Sequence, residues 1–172
     1  MKILPGLSFS VSYTTRSRRS GEVDGVDYHY VSPQEFDQLV ASGELVEHVT
    51  YLGDQYGTSR AQIEAVFARG ADVILNIDVQ GAKRLQEGGL LGCAVVYVFL
   101  APSSLDLLKE RLRTRATESD EQISARLEVA AKEMETLSFF DYLVLNDNIE
   151  AAVDELRSII VAERSRLVKA DD

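Results

Sequence analysis

Hydrophobic positions follow two different spacings along the chain. Residues 7–13 alternate between apolar and small polar side chains, and short runs at 26–31 and 45–51 add two further predicted strands to a mixed region. From Asp72 onward, nearly continuous apolar runs predict strands that are buried on both faces, at residues 72–79, 93–100 and 142–145. Because helical stretches separate these runs, we expect parallel strands joined by helical crossovers, which is an α/β fold.

Helix signals lie between the predicted strands. Ser32, Pro33 and Glu35 form a capping box with proline at the first helical position, which predicts a helix start. After a predicted turn at residues 53–57, a second helix is expected to begin at Thr58. Further helices are predicted over residues 80–86, directly after Pro102-Ser103-Ser104, over 120–136 and over 151–167.

The 172-residue chain is acidic and poor in soft metal ligands. Its 28 Asp and Glu outweigh 18 Lys and Arg, and the net charge of −10 argues against general adhesion to nucleic acid or anionic membranes. A single cysteine, Cys93, excludes an internal disulfide and favours a reducing compartment. With only two distant histidines, His29 and His48, a zinc site is not expected. No apolar run approaches the ~18 residues of a membrane helix, and the start has no signal-peptide pattern, so we expect a cytoplasmic protein.

The first candidate site is a loop rich in arginine and hydroxyl side chains at residues 12–28. The forked guanidinium groups of Arg16 and Arg19 suit a phosphate, and Glu22 could orient them. Tyr28 follows the loop and could donate to the same phosphate. The alternative is a solvated hairpin loop with ordinary surface charge.

The second candidate is a pair of segments around residues 44–47 and 53–59. The carboxylate of Glu47 could accept two hydrogen bonds from a purine edge that carries an N–H and an NH₂ group, as guanine does. Tyr56 would supply a hydroxyl, and Gly57 permits close backbone approach. The alternative for Glu47 is an exposed strand position.

The third and fourth candidates are an aspartate and a group of arginines. Asp78 ends a predicted parallel strand, where open α/β sheets bind ligands, and could help position phosphate-bound Mg²⁺ or could simply cap the next helix. Arg111, Arg115 and Arg126 flank a polar loop and suit a mobile lid that clamps phosphates. Ion pairing with nearby glutamates is the alternative for these arginines.

In this order, the motifs closely resemble those of the guanylate kinase family. The matching segments run from about Leu7 to the last helix, and they are FSVSYTTRSRRSGEVDGVDYHYVS, YGTS, IDVQG, APSS, RLRTRATES and LND. The resemblance implies phosphoryl transfer from ATP to GMP with Mg²⁺, giving ADP and GDP. It also implies a P-loop-kinase-like parallel sheet with helices on both faces, made by residues 1–15 and 75–172. A mixed α+β GMP-binding lobe at 16–74 and a helical lid at about 106–136 complete the implied fold.

The resemblance also assigns roles to individual residues. Ser12, Glu47 and Thr58 match positions that contact guanine. The GMP phosphate is implied to be held by Arg16, Arg19, Tyr28 and Tyr56, with Glu22 orienting the arginines and Asp78 near the phosphates. Contacts to ATP are implied for Arg111, Arg115, Arg126 and Asn146, and the catalytic charge stabilisation for Arg16, Arg111 and Arg126. No side chain is expected to bind Mg²⁺ directly, because the ion would be held through the nucleotide phosphates with Asp78 close by.

The sequence departs from the family pattern in several places. Asn76 stands where the pattern is usually acidic, Ala116 replaces a lid glycine, and Asn148 replaces an aspartate. No segment matches G-x-x-x-x-G-K-[ST], so we expect the first central strand and the loop that cradles ATP phosphates to be absent and the chain as written to be a poor catalyst. Two other hypotheses therefore stay open: a guanylate-kinase-like module that binds phosphorylated peptides without catalysis, and a fragment that folds poorly. A homo-oligomer also stays open.

Overall fold

The fold is α/β, with mixed and parallel sheets and six α-helices in the described part of the chain. A computed structural model describes residues 4–89, 92–114 and 119–167. The chain divides into two compact units, Met1–Ala94 and Val95–Asp172. The lobe and lid boundaries expected from the sequence were drawn from the family resemblance and not from compactness, and they stay predictions.

Two sheets lie in the first unit. The strands are β1 (Leu7–Phe9), β2 (Tyr13–Thr14), β3 (His29–Tyr30), β4 (Leu45–Tyr51), β5 (Asp54–Ser59) and β6 (Asp72–Ile74). Strands β1 and β6 form a parallel pair, with Leu7 opposite Asp72. The other four form one sheet in the order β3-β2-β5-β4, in which β5 is antiparallel to both of its neighbours.

Three helices complete the first unit: α1 (Pro33–Ala41), α2 (Arg60–Phe67) and α3 (Val79–Gly88). The predicted capping box is confirmed, since the Ser32 hydroxyl accepts from Glu35 N–H and the Glu35 carboxylate accepts from Ser32 N–H. Local side-chain to backbone bonds of this kind satisfy amides that a helix start leaves unpaired, which is why four residues are enough to predict it. The fully buried Phe36 and Ile63 anchor α1 and α2 in the core.

The described residues of the second unit form one parallel strand pair and three α-helices. Its elements are β7 (Val98–Ala101), α4 (Leu105–Thr114), α5 (Asp120–Met134), a 3-10 turn (Leu137–Phe139), β8 (Tyr142–Leu145) and α6 (Ile149–Arg164). Strands β7 and β8 are parallel, with Val98 opposite Tyr142 at one end and Ala101 opposite Leu145 at the other. Asn148, one of the departures from the family pattern, caps α6 by accepting a hydrogen bond from Ala151 N–H at 3.0 Å.

The predicted turn at residues 53–57 is wrong, because most of this segment belongs to strand β5. Glycine and polar residues there indicate a turn when they are taken in isolation. In the fold, β5 lies between β2 and β4 and takes its conformation from two sets of cross-strand hydrogen bonds. Gly57 is needed for packing, since a Cβ there would lie 2.6 Å from Leu45 Cδ1 and 3.1 Å from Phe36 Cζ. The second helix consequently begins at Arg60, after the Ser59 cap, and not at Thr58.

The expectation of strands buried on both faces is also wrong for the described structure. Strands β6 and β7 are only three and four residues long, and Ile74 and Leu100 are 39% and 50% exposed. In the described residues, β6 and β7 each have one hydrogen-bonded neighbour. Continuous apolar composition therefore identified where strands occur but not how far they extend or what covers them. No helix in the described ranges is long and apolar enough to cross a membrane.

Candidate functional site

The polar loop after strand β2 is organised by an ion pair between Arg16 and Glu22. Arg16 Nη2 lies 2.7 Å from Glu22 Oε1, and Nη1 lies 3.1 Å from Oε2, so the two groups meet in a forked geometry. Their side chains are only 11% and 18% exposed. These values disagree with the alternative of a freely solvated loop. Forked pairs of guanidinium and carboxylate groups are strong and geometrically specific, so this pair fixes the orientation of Arg16.

Glu22 connects several further groups of the loop. Its Oε2 accepts hydrogen bonds from the backbone N–H of Arg19 at 2.7 Å and from the Tyr30 hydroxyl at 2.7 Å. Hydrogen bonding by Arg16, more than any other contact, lowers the pKa of Glu22 to about 2. Glu22 is therefore ionised at neutral pH and holds both ends of the 16–19 segment.

Two tyrosine rings lie beside the guanidinium of Arg16, and a third packs against one of them. Its central carbon lies 5.4 Å from the ring centre of Tyr28 and 5.9 Å from that of Tyr30, within the range of cation–π attraction. Tyr28 in turn meets Tyr56 edge to face at 5.9 Å. The structure thus brings together four residues that the sequence resemblance assigns to the GMP phosphate or its orientation, namely Arg16, Glu22, Tyr28 and Tyr56, and adds Tyr30.

A second polar cluster lies on strands β4 and β5. Glu47 and Thr58 are direct partners across the antiparallel pair, and the Thr58 hydroxyl donates to Glu47 Oε1 at 2.5 Å. Glu47 is only 5% exposed and Thr58 is fully buried. The alternative of an exposed Glu47 is therefore wrong, because the pairing of three strands and the approach of α3 cover this position.

The other oxygen of Glu47 has an unusual environment. Oε2 is buried and accepts no hydrogen bond from the described part of the protein. Burial raises the pKa of Glu47, the Thr58 hydroxyl opposes the rise, and the negative charge of Asp78 adds to it. A buried carboxylate oxygen without a donor is costly, so this oxygen is suited to a ligand that brings an N–H group.

Asp78 and Gly81 approach this carboxylate from helix α3. Asp78 caps the helix, since its Oδ1 accepts from Gly81 N–H at 2.7 Å, and this part of the alternative reading is confirmed. A Cβ placed on Gly81 would lie 2.7 Å from Glu47 Oε2 and 3.3 Å from Asp78 Oδ1. Glu47, Asp78 and Gly81 therefore form one compact group.

The segment between β1 and β2, which carries Ser12, is held by a side chain that sequence reasoning missed. The side-chain amide of Gln62 makes two hydrogen bonds to the backbone of Val11. Its Oε1 accepts from Val11 N–H at 3.0 Å, and its Nε2 donates to Val11 O at 3.1 Å. Gln62 Nε2 also lies 3.0 Å from His29 Nε2, and His29 N–H donates to the carbonyl of the buried Ser12. No local pattern in the sequence predicts this contact, because the partners lie about 51 positions apart.

Tyr30 had one weak signal, its position two residues after Tyr28 on a predicted strand.

Residues assigned to ATP lie in the second unit. Arg111 donates from Nη1 to Asn146 O at 2.5 Å and from Nη2 to Asp147 O at 2.9 Å, which places it beside the end of β8. The structure thus brings Arg111 and Asn146 together. Arg126 lies half-buried on α5, and Arg115 falls outside the described residues. The described ranges contain no group of three or more His, Cys, Asp or Glu side chains placed to hold a metal ion.

Comparison with known proteins gives a consistent result. The family model described as guanylate kinase matches residues 5–163. A guanylate kinase of Oceanobacillus iheyensis is 45% identical over 166 residues, covering 95% of this chain and 79% of that protein. A guanylate kinase of Geobacter sulfurreducens is 44% identical over 170 residues, covering 99% and 82%. The crystal structure of guanylate kinase from Anaplasma phagocytophilum matches with a TM-score of 0.77 and 35% identity, over 94% of this chain and 78% of that one.

Proposed function

This chain belongs to the guanylate kinase family, and on that premise we propose that its site serves phosphoryl transfer from ATP to GMP, giving ADP and GDP. The observation that carries the proposal is the buried carboxylate of Glu47, with one oxygen bound to Thr58 and the other without a donor. Guanine presents a ring N–H and an exocyclic NH₂ side by side, whereas adenine presents no donor at its ring nitrogen. Glu47 would therefore select guanine over adenine, with Thr58 and Ser12 completing the contacts to the base.

The GMP phosphate would bind beside Arg16, in the group of side chains that Glu22 and the neighbouring tyrosines form. Glu22 and the carbonyl of Ser17 engage three of the five N–H groups of Arg16, which leaves two for a phosphate. Because Glu22 already fixes the guanidinium, little side-chain freedom would be lost on binding. Arg19, Tyr28 and Tyr56 are the further proposed donors, and all of these residues lie in the first unit.

The second unit would supply contacts to ATP through Arg111, Arg126 and Asn146, together with Arg115. Phosphoryl transfer depends chiefly on alignment and charge stabilisation, and arginine supplies both. We propose that Arg16, Arg111 and Arg126 carry the charge stabilisation. Arg111 is held by the carbonyls of Asn146 and Asp147, so its orientation would be set before ATP arrives.

Magnesium would enter with the ATP phosphates. When bound, Mg²⁺ neutralises phosphate charge. One oxygen of Asp78 already accepts a hydrogen bond as the cap of α3. Asp78 is therefore better suited to lie beside the phosphates than to bind the metal ion directly. We therefore assign no reaction step to a metal ligand of this chain.

The remaining part of the proposal concerns the loop that cradles the ATP phosphates in this family. No G-x-x-x-x-G-K-[ST] occurs in these 172 residues, so we propose that they bind GMP well and transfer phosphate slowly when assayed alone. A coupled assay of ADP release, with this chain and with a chain that includes any upstream coding sequence, measures this directly. Full activity of the 172-residue chain would contradict it. We also propose a cytoplasmic role in purine nucleotide metabolism.

Calorimetry with GMP, IMP and AMP tests the acceptor assignment. We expect GMP to bind most tightly, and Glu47→Gln to weaken GMP binding by about tenfold or more, as expected for loss of a charged hydrogen-bond acceptor. Glu64→Gln is the matched control, because Glu64 lies exposed on α2. Equal binding of GMP and AMP would overturn the proposal, and tight binding of a phosphoserine peptide without GMP binding would favour the non-catalytic module.

A further inference from the structure

Helix α3 approaches the buried carboxylate of Glu47 so closely that a side chain at position 81 would meet it. Cβ placed on Gly81 would lie 2.7 Å from Glu47 Oε2 and 3.3 Å from Glu47 Cδ. Carbon and oxygen atoms that are not bonded do not approach to 2.7 Å without strain. Any side chain at this position would therefore displace the oxygen of Glu47 that has no protein donor.

The other contacts around Glu47 restrict how it could adjust. Oε1 is tied to the Thr58 hydroxyl at 2.5 Å, and both residues are buried. Asp78 Oδ1 lies 3.3 Å from the same Cβ and is itself fixed as the cap of α3. Displacement of Oε2 toward Asp78 would bring two carboxylates together, which is unfavourable.

We propose that Gly81 is a specificity-determining residue: by leaving the space next to Glu47 Oε2 empty, it keeps this oxygen where it can accept a hydrogen bond from the exocyclic amino group of guanine. The inference rests on the proposed GMP site and deepens it. Gly81 itself makes no contact with the base through a side chain, so it acts through the position of Glu47.

The backbone conformation of Gly81 supports a packing role. It lies within α3 and has no positive φ, unlike eight other glycines of the chain. Alanine is favoured over glycine in helices, so helix propensity alone would favour a side chain at this position. The close approach of Glu47 is what opposes it.

The test compares Gly81→Ala with Gly88→Ala in the full chain. Both positions lie in α3, both changes add one methyl group, and a Cβ on Gly88 meets no atom within 4 Å. Binding of GMP and of IMP, which lacks the exocyclic amino group, is measured by calorimetry. We expect Gly81→Ala to weaken GMP binding at least tenfold and IMP binding by threefold or less, so that the preference for GMP nearly disappears. Gly88→Ala should retain the wild-type preference.

Four results would overturn the inference or its premise. An unchanged ratio of GMP to IMP affinity in Gly81→Ala overturns the role of Gly81. A wild-type protein with no preference for GMP, or Glu47→Gln with unchanged GMP binding, overturns the proposed guanine site itself. If Gly81→Ala unfolds, Gly81→Ala combined with Glu47→Ala should recover the melting temperature of Glu47→Ala, because the conflict is with that carboxylate; failure to recover it contradicts the inference.

Discussion

The guanidinium of Arg16 and the carboxylate of Glu22 meet at two points, 2.7 and 3.1 Å apart, and both side chains are largely buried. The pair is six positions apart in the sequence, so the loop between them closes on itself. Because Glu22 also binds the backbone of Arg19, the same carboxylate orders two of the arginines proposed to bind phosphate.

Replacing Glu22 with glutamine tests this arrangement. Glu22→Gln keeps the size of the side chain but removes the charge that fixes Arg16, so we expect GMP binding to weaken by about tenfold. Calorimetry measures the change, with the exposed Glu64→Gln as control. Unchanged GMP affinity in Glu22→Gln would show that Arg16 does not depend on Glu22 for its orientation.

The same pair predicts a pH dependence of stability. Pairing holds the pKa of folded Glu22 at about 2, below the ordinary value of 4.5. The stabilisation is therefore complete above the ordinary pKa and is lost as the pH falls through about 2. Urea unfolding of wild type and Glu22→Gln should show a difference in unfolding free energy that shrinks over this range. A constant difference would contradict the assignment.

Tyr30 is expected to act as a positioning residue for Glu22. Its hydroxyl donates to Glu22 at 2.7 Å, and burial, together with this bond, raises the pKa of Tyr30 to about 12. Tyr30→Phe removes the donor and keeps the ring beside Arg16 and Tyr28, so GMP affinity should fall by roughly threefold, less than in Glu22→Gln. The acid transition assigned to Glu22 should also move to higher pH. Tyr13→Phe on strand β2 is the control, and an equal effect of both variants would show a general loss of packing.

Thr58 is predicted to stabilise the buried carboxylate of Glu47. Thr58→Val removes the hydroxyl donor without changing the shape much, and it leaves Oε1 buried without its partner. We expect the free energy of unfolding to fall by about 1–3 kcal/mol, the cost of an unsatisfied buried acceptor. Thr50→Val on the exposed side of β4 is the matched control in urea titrations. Equal stability of the two variants would contradict the prediction.

Burial of Glu47 also predicts how GMP binding depends on pH. Burial raises the pKa of Glu47. The ionised carboxylate is the form that can accept hydrogen bonds at both oxygens, from Thr58 and from guanine. Affinity for GMP should therefore fall as the pH decreases through this raised pKa. The phosphate of GMP titrates in wild type and Glu47→Gln alike, so the ratio of their affinities isolates Glu47. A ratio that does not change with pH would show that Glu47 keeps one protonation state in the site.

Local patterns predicted much of the site because its parts are close in sequence. The loop with Arg16, Glu22 and Tyr28 spans 13 residues, and its hydroxyl, guanidinium and carboxylate groups already indicate a phosphate site. Tyr30 and Gln62 were missed for different reasons. Tyr30 is distinguished only by a hydroxyl whose acceptor lies eight residues away, whereas Gln62 pairs with a backbone that is distant in the chain.

By itself, the sequence determined the family, the strands and helices with strong local signals, and the chemical character of the loop at residues 16–28, because capping bonds, turn signals and charge clusters act over a few residues. Only the tertiary structure decided that 54–59 is a strand, that Glu47 is buried with one oxygen unpaired, and that a Cβ on Gly81 would meet this oxygen. These three features depend on what packs against each residue. Packing neighbours that are distant in the chain set strand pairing, desolvation and free space, and no local pattern records them.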